Sequence, residues 1–293
     1  MTKPNFSQTE SSLIKLFKDS GAFKFQGKSY NLLNVGKPSP SQGECKTDIY
    51  IQAQDSNNFK KEFKISIKQN NADFLENKIR LERAKEIFGM NAQQVIQNSI
   101  ARIKPAFESD QLVYIEKNGR TGAKSIKLGW KFELMNKPSG NKSGLMMLSQ
   151  AQKVDIYSGT NLGHNKIHSR VNNQVVQNSG IAEYILETSP SINQSIDFYM
   201  SKLVKIDSFV RNKNIYFACK ALNYRAEGDK WDGDRPLAVY VDWQLVSNKL
   251  IGKLVYSNPL SKRGNEIGKN LQAILKKLNI SSNNFQDIKK YLA

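Results

Sequence analysis

Hydrophobic and polar positions alternate with two different periods along the first ninety residues. Between Ser7 and Gly21 the apolar residues Leu13, Ile14, Leu16 and Phe17 recur at helical spacing after a capping pattern, and a glycine ends the run, so a helix is expected. Residues 27–44 read as a short extended piece followed by a Pro/Ser/Gly loop. The period drops to two in KTDIYIQAQ (46–54) and KEFKISIKQ (61–69), with turn chemistry in DSNN (55–58) between them. NADFLENKIRLERAKEIFG (71–89) returns to helical spacing and closes on Gly89, and residues 91–103 predict another helix. Residues 111–134 read as two strands around a basic loop that contains glycine.

The second half changes character. Residues 143–161, 203–225 and 236–257 carry mostly strand signals, whereas 263–280 and 284–292 look helical. No internal repeat or low-complexity tract occurs. The softest boundary lies near 140–150, which suggests regions 1–145 and 146–293 or one continuous domain.

The hairpin raises a question. Phe63, Ile65 and Ile67 share one face with Ile49 and Ile51, which leaves Lys64, Ser66 and Lys68 on the other. With the turn centred near Asn57, Asp48 falls opposite Ser66, and Lys68 is one diagonal step away. A carboxylate and a strand carbonyl, here Asp48 and Ile67, can hold a divalent cation, with an ammonium close by. Glu62 and Lys64 offer a second carboxylate–ammonium pair nearer the turn, and Glu44 and Glu10 are additional carboxylates.

Charge changes the picture further. The chain of 293 residues has 44 Lys+Arg against 26 Asp+Glu, a formal net charge of +18. Such an excess favours a polyanion partner. Hydrophobic residues make up 39%, enough for a folded core. No run of about 18 apolar residues occurs, so no membrane span is expected. The start of the chain lacks a signal-peptide pattern, and Cys45 and Cys219 alone suggest no disulfide framework, so a reducing, cytoplasmic setting is expected.

KTD followed after a turn by ISIK resembles the PD-(D/E)XK nuclease superfamily, the fold of type II restriction endonucleases. The resemblance covers residues 7–135 at most, and it implies an α/β fold with a mixed, restriction-endonuclease-like β-sheet flanked by helices. It assigns Asp48 as the metal-binding aspartate and Lys68 as the catalytic lysine. Ser66 stands where the family has Asp or Glu, and Glu62 with Lys64 remains the alternative frame. The resemblance implies a Mg²⁺-dependent deoxyribonuclease acting on double-stranded DNA, with Mn²⁺ as a substitute. The strand-rich C-terminal extension would supply recognition. Non-catalytic nucleic-acid binding, or a repair, homing or phage nuclease of the same fold, are the alternatives.

Basic loops extend this expectation. Lys117, Arg120 and Lys124 lie in KNGRTGAK, and Lys262 and Arg263 precede a helix whose N-terminus favours phosphate. Arg170, Arg211 and Lys213 sit among Asn and Gln, residue types that read base edges. HNKIH lacks the glutamate of a zinc-protease motif, WDGDR reads as a polar turn, and no phosphate loop of the GxxxxGK type occurs, so no nucleotide cofactor is expected.

Overall fold

The computed structural model describes residues 6–69, 73–77 and 79–292. The protein is of mixed α/β class. It divides into two compact units, each assembled from two segments. Unit one comprises Met1–Asp73 and Leu148–Asn214, and unit two Phe74–Met147 and Ile215–Ala293. One crossing, Met147 to Leu148, falls near the soft boundary expected at 140–150. The crossings after Asp73 and Asn214 coincide with no sequence signal.

Unit one begins with α1 (Phe6–Ser20), closed by Gly21 at φ +64. Four strands follow: β1 (Ala22–Phe25), β2 (Lys28–Gly36), β3 (Ile49–Asp55) and β4 (Lys60–Gln69). The β3–β4 turn is held by the Asp55 carboxylate, which accepts the N–H groups of Asn57 and Phe59. The chain returns with α2 (Gln150–Ser158), β5 (Tyr184–Thr188), α3 (Ile196–Ser201), β6 (Val204–Lys205) and α4 (Ile206–Val210). The strands form one sheet in the order β1-β2-β3-β4-β5-β6. All neighbours are antiparallel except β4 and β5, which run parallel.

One face of this sheet is the core. Ile49, Ile51, Ala53, Phe63, Ile65, Ile67, Tyr184 and Leu186 pack there with Leu13 and Phe17 of α1 and Ile196, Tyr199 and Met200 of α3. Phe63 anchors this layer, in edge contact with Phe23, Phe25 and Tyr30. The expected helix 71–89 differs. Residues 70–72 and 78 lie outside the described residues, Phe74–Glu76 is a strand of unit two, and only Leu81–Phe88 is helical. Pairing with Met135 and Leu134 overrides the local helical pattern of Phe74 and Glu76. The strand signal of 143–161 holds at Ser143–Leu145 and then gives way, because Ser149 and Gln152 form a capping box that starts α2.

Unit two is built on an eight-stranded sheet. Its long central strands are Ser125–Met135 and Tyr216–Arg225, with the hairpin Val239–Val246 and Lys249–Val255 on one side. Helix Gly264–Lys277 buries Ile267, Leu271, Ile274 and Leu275. A β-bulge shifts the register so that Leu222 pairs with Gly129 and Asn223 with Lys127. Gly129 is required there, since a Cβ would come within 2.4 Å of the Val239 carbonyl. The bulge also brings Lys127 to the face of Trp130; at three residues apart in a regular strand the two would face opposite ways.

Candidate active site

Strands β3 and β4 pair in the register Ile49↔Ile65 to Gln54↔Lys60, the register expected from the turn. Asp48 stands just beyond the last pair, and its N–H still bonds the Ile65 carbonyl at 2.8 Å. Its side chain then replaces the missing backbone partner. Oδ2 accepts the Ile67 N–H at 2.7 Å and the Ser66 hydroxyl at 3.3 Å. The N–H and C=O of one strand residue point to the same edge, so the Ile67 carbonyl faces the edge where Asp48 stands.

Lys68 is the next residue of β4. Its Nζ lies 5.9 Å from the centre of the Tyr157 ring of α2, and its register partner on β5 is Glu187. Burial pushes the Asp48 carboxyl above the usual carboxylate range, while the Lys68 ammonium is the largest influence holding it down. Tyr157 is buried, and burial with the Glu187 charge pushes its hydroxyl up to about 12.

Glu10 of α1 joins this group. Burial, together with repulsion from Asp48 and Glu44, raises its carboxyl, and the Lys37 ammonium opposes the rise through an ion pair. Burial works against the Lys37 charge in turn, but its bond to Glu10 holds the ammonium above its ordinary value. Glu44 itself is exposed. Two buried oxygens at the same end of β3 and β4, Thr47 Oγ1 and Gln69 Oε1, have no hydrogen-bond partner among the described residues.

The alternative frame forms a different network. The Tyr50 hydroxyl donates to Glu62 at 2.6 Å, and Lys64 pairs with Glu183 of the 181–190 segment at 2.8 Å and with Glu62 at 4.0 Å. The structure thus brings Ser66, Ile67 and Lys68 to Asp48, and gives Glu62 and Lys64 to each other, Tyr50 and Glu183. Tyr50, Lys64 and Ser66 are all buried, so this polar strand face is not a solvated one.

The basic candidates fall in both units. In unit one, Arg170 is exposed and its backbone bridges Ser39, Arg211 pairs with Asp207 at 3.8 Å, and Lys213 Nζ lies 4.5 Å from the Phe209 ring. In unit two, Lys117 and Arg120 are exposed on the turn closed by Asn118 and Thr121, and Lys124 lies 4.0 Å from Glu227. Lys262 pairs with Glu266 at 2.9 Å. Arg263 pairs with Asp234 at 2.8 Å, and Asp234 also accepts the Asn265 N–H. The helix N-terminus expected to receive a phosphate therefore already holds a carboxylate.

Among the described residues no group of three or more His, Cys, Asp or Glu gathers as a metal cluster. His164 and His168 have their rings 4.4 Å apart, and His168 Nδ1 accepts the Asn178 N–H. No helix among the described residues is long and apolar enough to cross a membrane. Sequence reasoning missed Tyr157, Glu187 and Lys37. The Ser149/Gln152 capping box was the signal that would have placed α2 and with it Tyr157. Compared with known proteins, the chain matches no family model, no characterised protein and no solved structure.

Proposed function

We propose that this protein is a metal-dependent DNA endonuclease whose catalytic core is unit one. The observation that carries the reading is the Asp48 carboxylate on the Ile67 N–H, at the end of the β3–β4 pair and beside Lys68. The element order adds support: a helix, four successive antiparallel strands, a helix, then a strand parallel to β4. That order resembles the restriction-endonuclease core, and it is assembled although 74 to 147 are inserted between β4 and α2.

The donor set fits Mg²⁺ or Mn²⁺. Its atoms are hard oxygens, and burial raises the carboxyls of the half-buried Asp48 and the buried Glu10. Asp48 and the Ile67 carbonyl would hold the ion, with Glu44 as an outer carboxylate. A bound ion of this kind polarises a phosphoryl oxygen and acidifies a water. Lys68 offers an ammonium to the phosphate and offsets the negative charge that develops in the transition state. Ser66 supplies no charge and instead fixes the Asp48 rotamer. Glu10, locked to Lys37, keeps that lysine charged at the edge of the site.

Incubation of plasmid DNA with Mg²⁺, with and without EDTA, tests the reading. Discrete bands that EDTA abolishes are the expected result and point to a sequence-specific restriction-type enzyme. A smear would reduce the proposal to a nonspecific nuclease of the same chemistry. A gel shift with no cutting would overturn catalysis and leave a binding protein.

A further inference from the structure

Unit two contains a buried charge cluster that the catalytic reading does not use. The Asp110 carboxylate lies 3.6 Å from Lys127 Nζ and 3.1 Å from Lys142 Nζ, and it accepts the Tyr114 hydroxyl at 2.8 Å. The Lys127 side chain is only 3% exposed and that of Lys142 only 13%. Around them Arg225 binds Asp232 at 3.0 Å, Lys104 binds Glu108 at 3.4 Å and Lys131 binds the buried Glu133 at 3.1 Å. At Asp110 itself two ammoniums face one carboxylate, one positive charge more than that carboxylate neutralises.

Aromatic faces surround that charge. Lys127 Nζ lies 4.8 Å from the Tyr114 ring centre and 5.7 Å from that of Trp130, and Lys142 Nζ lies 5.9 Å from Trp130 and 6.0 Å from Phe107. Ring faces soften the burial of a cation, but they carry no formal charge. Burial, and then repulsion by Lys142, hold the Lys127 ammonium below its ordinary value against the pull of Asp110. A purely structural ion pair would need one lysine here and would be weakened by the second.

We propose that Lys127 and Lys142 form a phosphate-binding site, with Asp110 aligning the two ammoniums. A phosphate group offers several acceptor oxygens to converging cationic donors and neutralises the excess charge. A backbone phosphodiester of DNA is the occupant that follows from the proposed function; a free phosphate presents the same oxygens. Only that choice of source rests on the endonuclease reading.

Two arms test the site on the full chain, both in EDTA so that cleavage plays no part. In the first, inorganic phosphate is titrated in thermal melts. It should raise the melting temperature of the wild type, raise that of Asp110→Asn more, and leave Lys142→Met unmoved. In the second, the affinity for a short duplex is measured against salt. Lys142→Met should lower the slope of log K on log[salt] by about 0.9, the loss of one phosphate contact. A phosphate response with an unchanged duplex slope would keep the site and assign it to a free anion. No response in the wild type, or an equal one in folded Lys142→Met, overturns the proposal. Should Lys142→Met not fold, Asp110→Asn decides alone, because a structural network predicts no stronger phosphate response there. Failure to cut DNA would remove the endonuclease reading and leave both readouts intact.

Discussion

The two units treat their carboxylates in opposite ways. In unit one Asp48 and Glu10 are pushed up, first by burial and, for Glu10, also by the repulsion of Asp48 and Glu44. In unit two Asp110, Asp232 and Asp234 are held down although burial opposes it, because each faces its own cations and donors: Lys127 and Lys142, Arg225, and Asn265 with Arg263. Unit two carries 26 of the 44 basic residues and 14 of the 26 acidic ones, so cations are plentiful there. Acids paired one to one with cations at depressed values, as Asp232 and Asp234 are, are what scaffolding looks like, whereas Asp110 faces two lysines. Acids gathered against one another at raised values are under electrostatic strain, and a bound cation would relieve it.

The largest effect expected from this contrast is on catalysis. If unit one cleaves DNA as proposed, Asp48→Ala and Lys68→Ala should each lower the cleavage rate by about 10³-fold or more, the loss expected when one transition-state group is removed. Duplex affinity should change little. Asp232→Ala, which breaks the Arg225 and Asn223 contacts, should lower the melting temperature and leave the rate per folded molecule unchanged. Plasmid cleavage at matched folded concentration checks all three. If Asp232→Ala loses as much rate as Asp48→Ala, the division into strained site and paired scaffold collapses.

A second comparison runs along β4 itself. Lys64 is buried with Glu183, Glu62 and Tyr50 around it, whereas Lys68 faces Asp48. Lys64→Ala strands two carboxylates, Glu183 partly exposed, and should cost about 1–3 kcal/mol in urea unfolding while cleavage survives. Lys68→Ala should show the reverse pattern. A dead Lys64→Ala beside an active Lys68→Ala would move the catalytic pair to Glu62 and Lys64.

How much of this was legible in the sequence follows from range of interaction. The β3–β4 hairpin was readable because its register depends on a short turn, where Asp55 and Asn57 announce themselves, and on strict alternation of Ile49, Ile51, Phe63, Ile65 and Ile67. Asp48 beside Ser66 followed from that register. The strand Tyr184–Thr188, which pairs in parallel with β4, was not readable: its partner lies more than a hundred residues away, and YILET lacks clean alternation. Glu187 was hidden for the same reason. The segment 71–89 misled because Phe74 and Glu76 satisfy a helical pattern locally but gain a strand partner in Met135 and Leu134. That Asp234 reaches Arg263 was not readable, because the two stand 29 residues apart along the chain.

Titration sharpens the contrast between the acids. Asp48 in the folded chain binds its proton more tightly than an unfolded aspartate, whose value is about 3.9. The metal-free protein therefore loses stability as pH rises from about 4 through the raised value. Asp110 and Asp232 act with the opposite sign: their contribution is complete above about pH 4 and fades as pH falls through their depressed values. Asp48→Asn should melt higher than wild type at neutral pH in EDTA, by an amount that vanishes below about pH 4. Mg²⁺ should narrow the gap, since it favours only the ionised Asp48. Ser66→Asp puts a carboxylate where the Ser66 hydroxyl now lies 3.3 Å from Asp48 Oδ2, so it should widen the neutral-pH loss and lower the Mg²⁺ requirement for cutting. A difference between Asp48→Asn and wild type that is the same at every pH would show that Asp48 carries no strain.

The smallest effect separates scaffold cations from ligand-facing ones within unit two. Arg263 donates to the Asp234 carboxylate through Nε at 2.8 Å and to the Asp234 carbonyl through Nη2 at 3.1 Å. That carboxylate accepts the Asn265 N–H at the start of helix Gly264–Lys277, so Arg263 holds a helix cap. The pair is partly exposed, and Arg263→Gln should cost only about 0.5–1 kcal/mol of stability. It should leave the salt slope of duplex binding where it is, because the guanidinium is already committed. Arg120 is exposed on the Asn118–Thr121 turn. Arg120→Gln should leave the melt unchanged and lower the slope by about 0.9 if that turn meets a phosphate. The two variants thus differ in sign pattern, one moving stability alone and the other the slope alone. A slope that falls in Arg263→Gln and holds in Arg120→Gln would reverse the assignment and make the capped helix end, against its own carboxylate, the DNA-facing part of unit two.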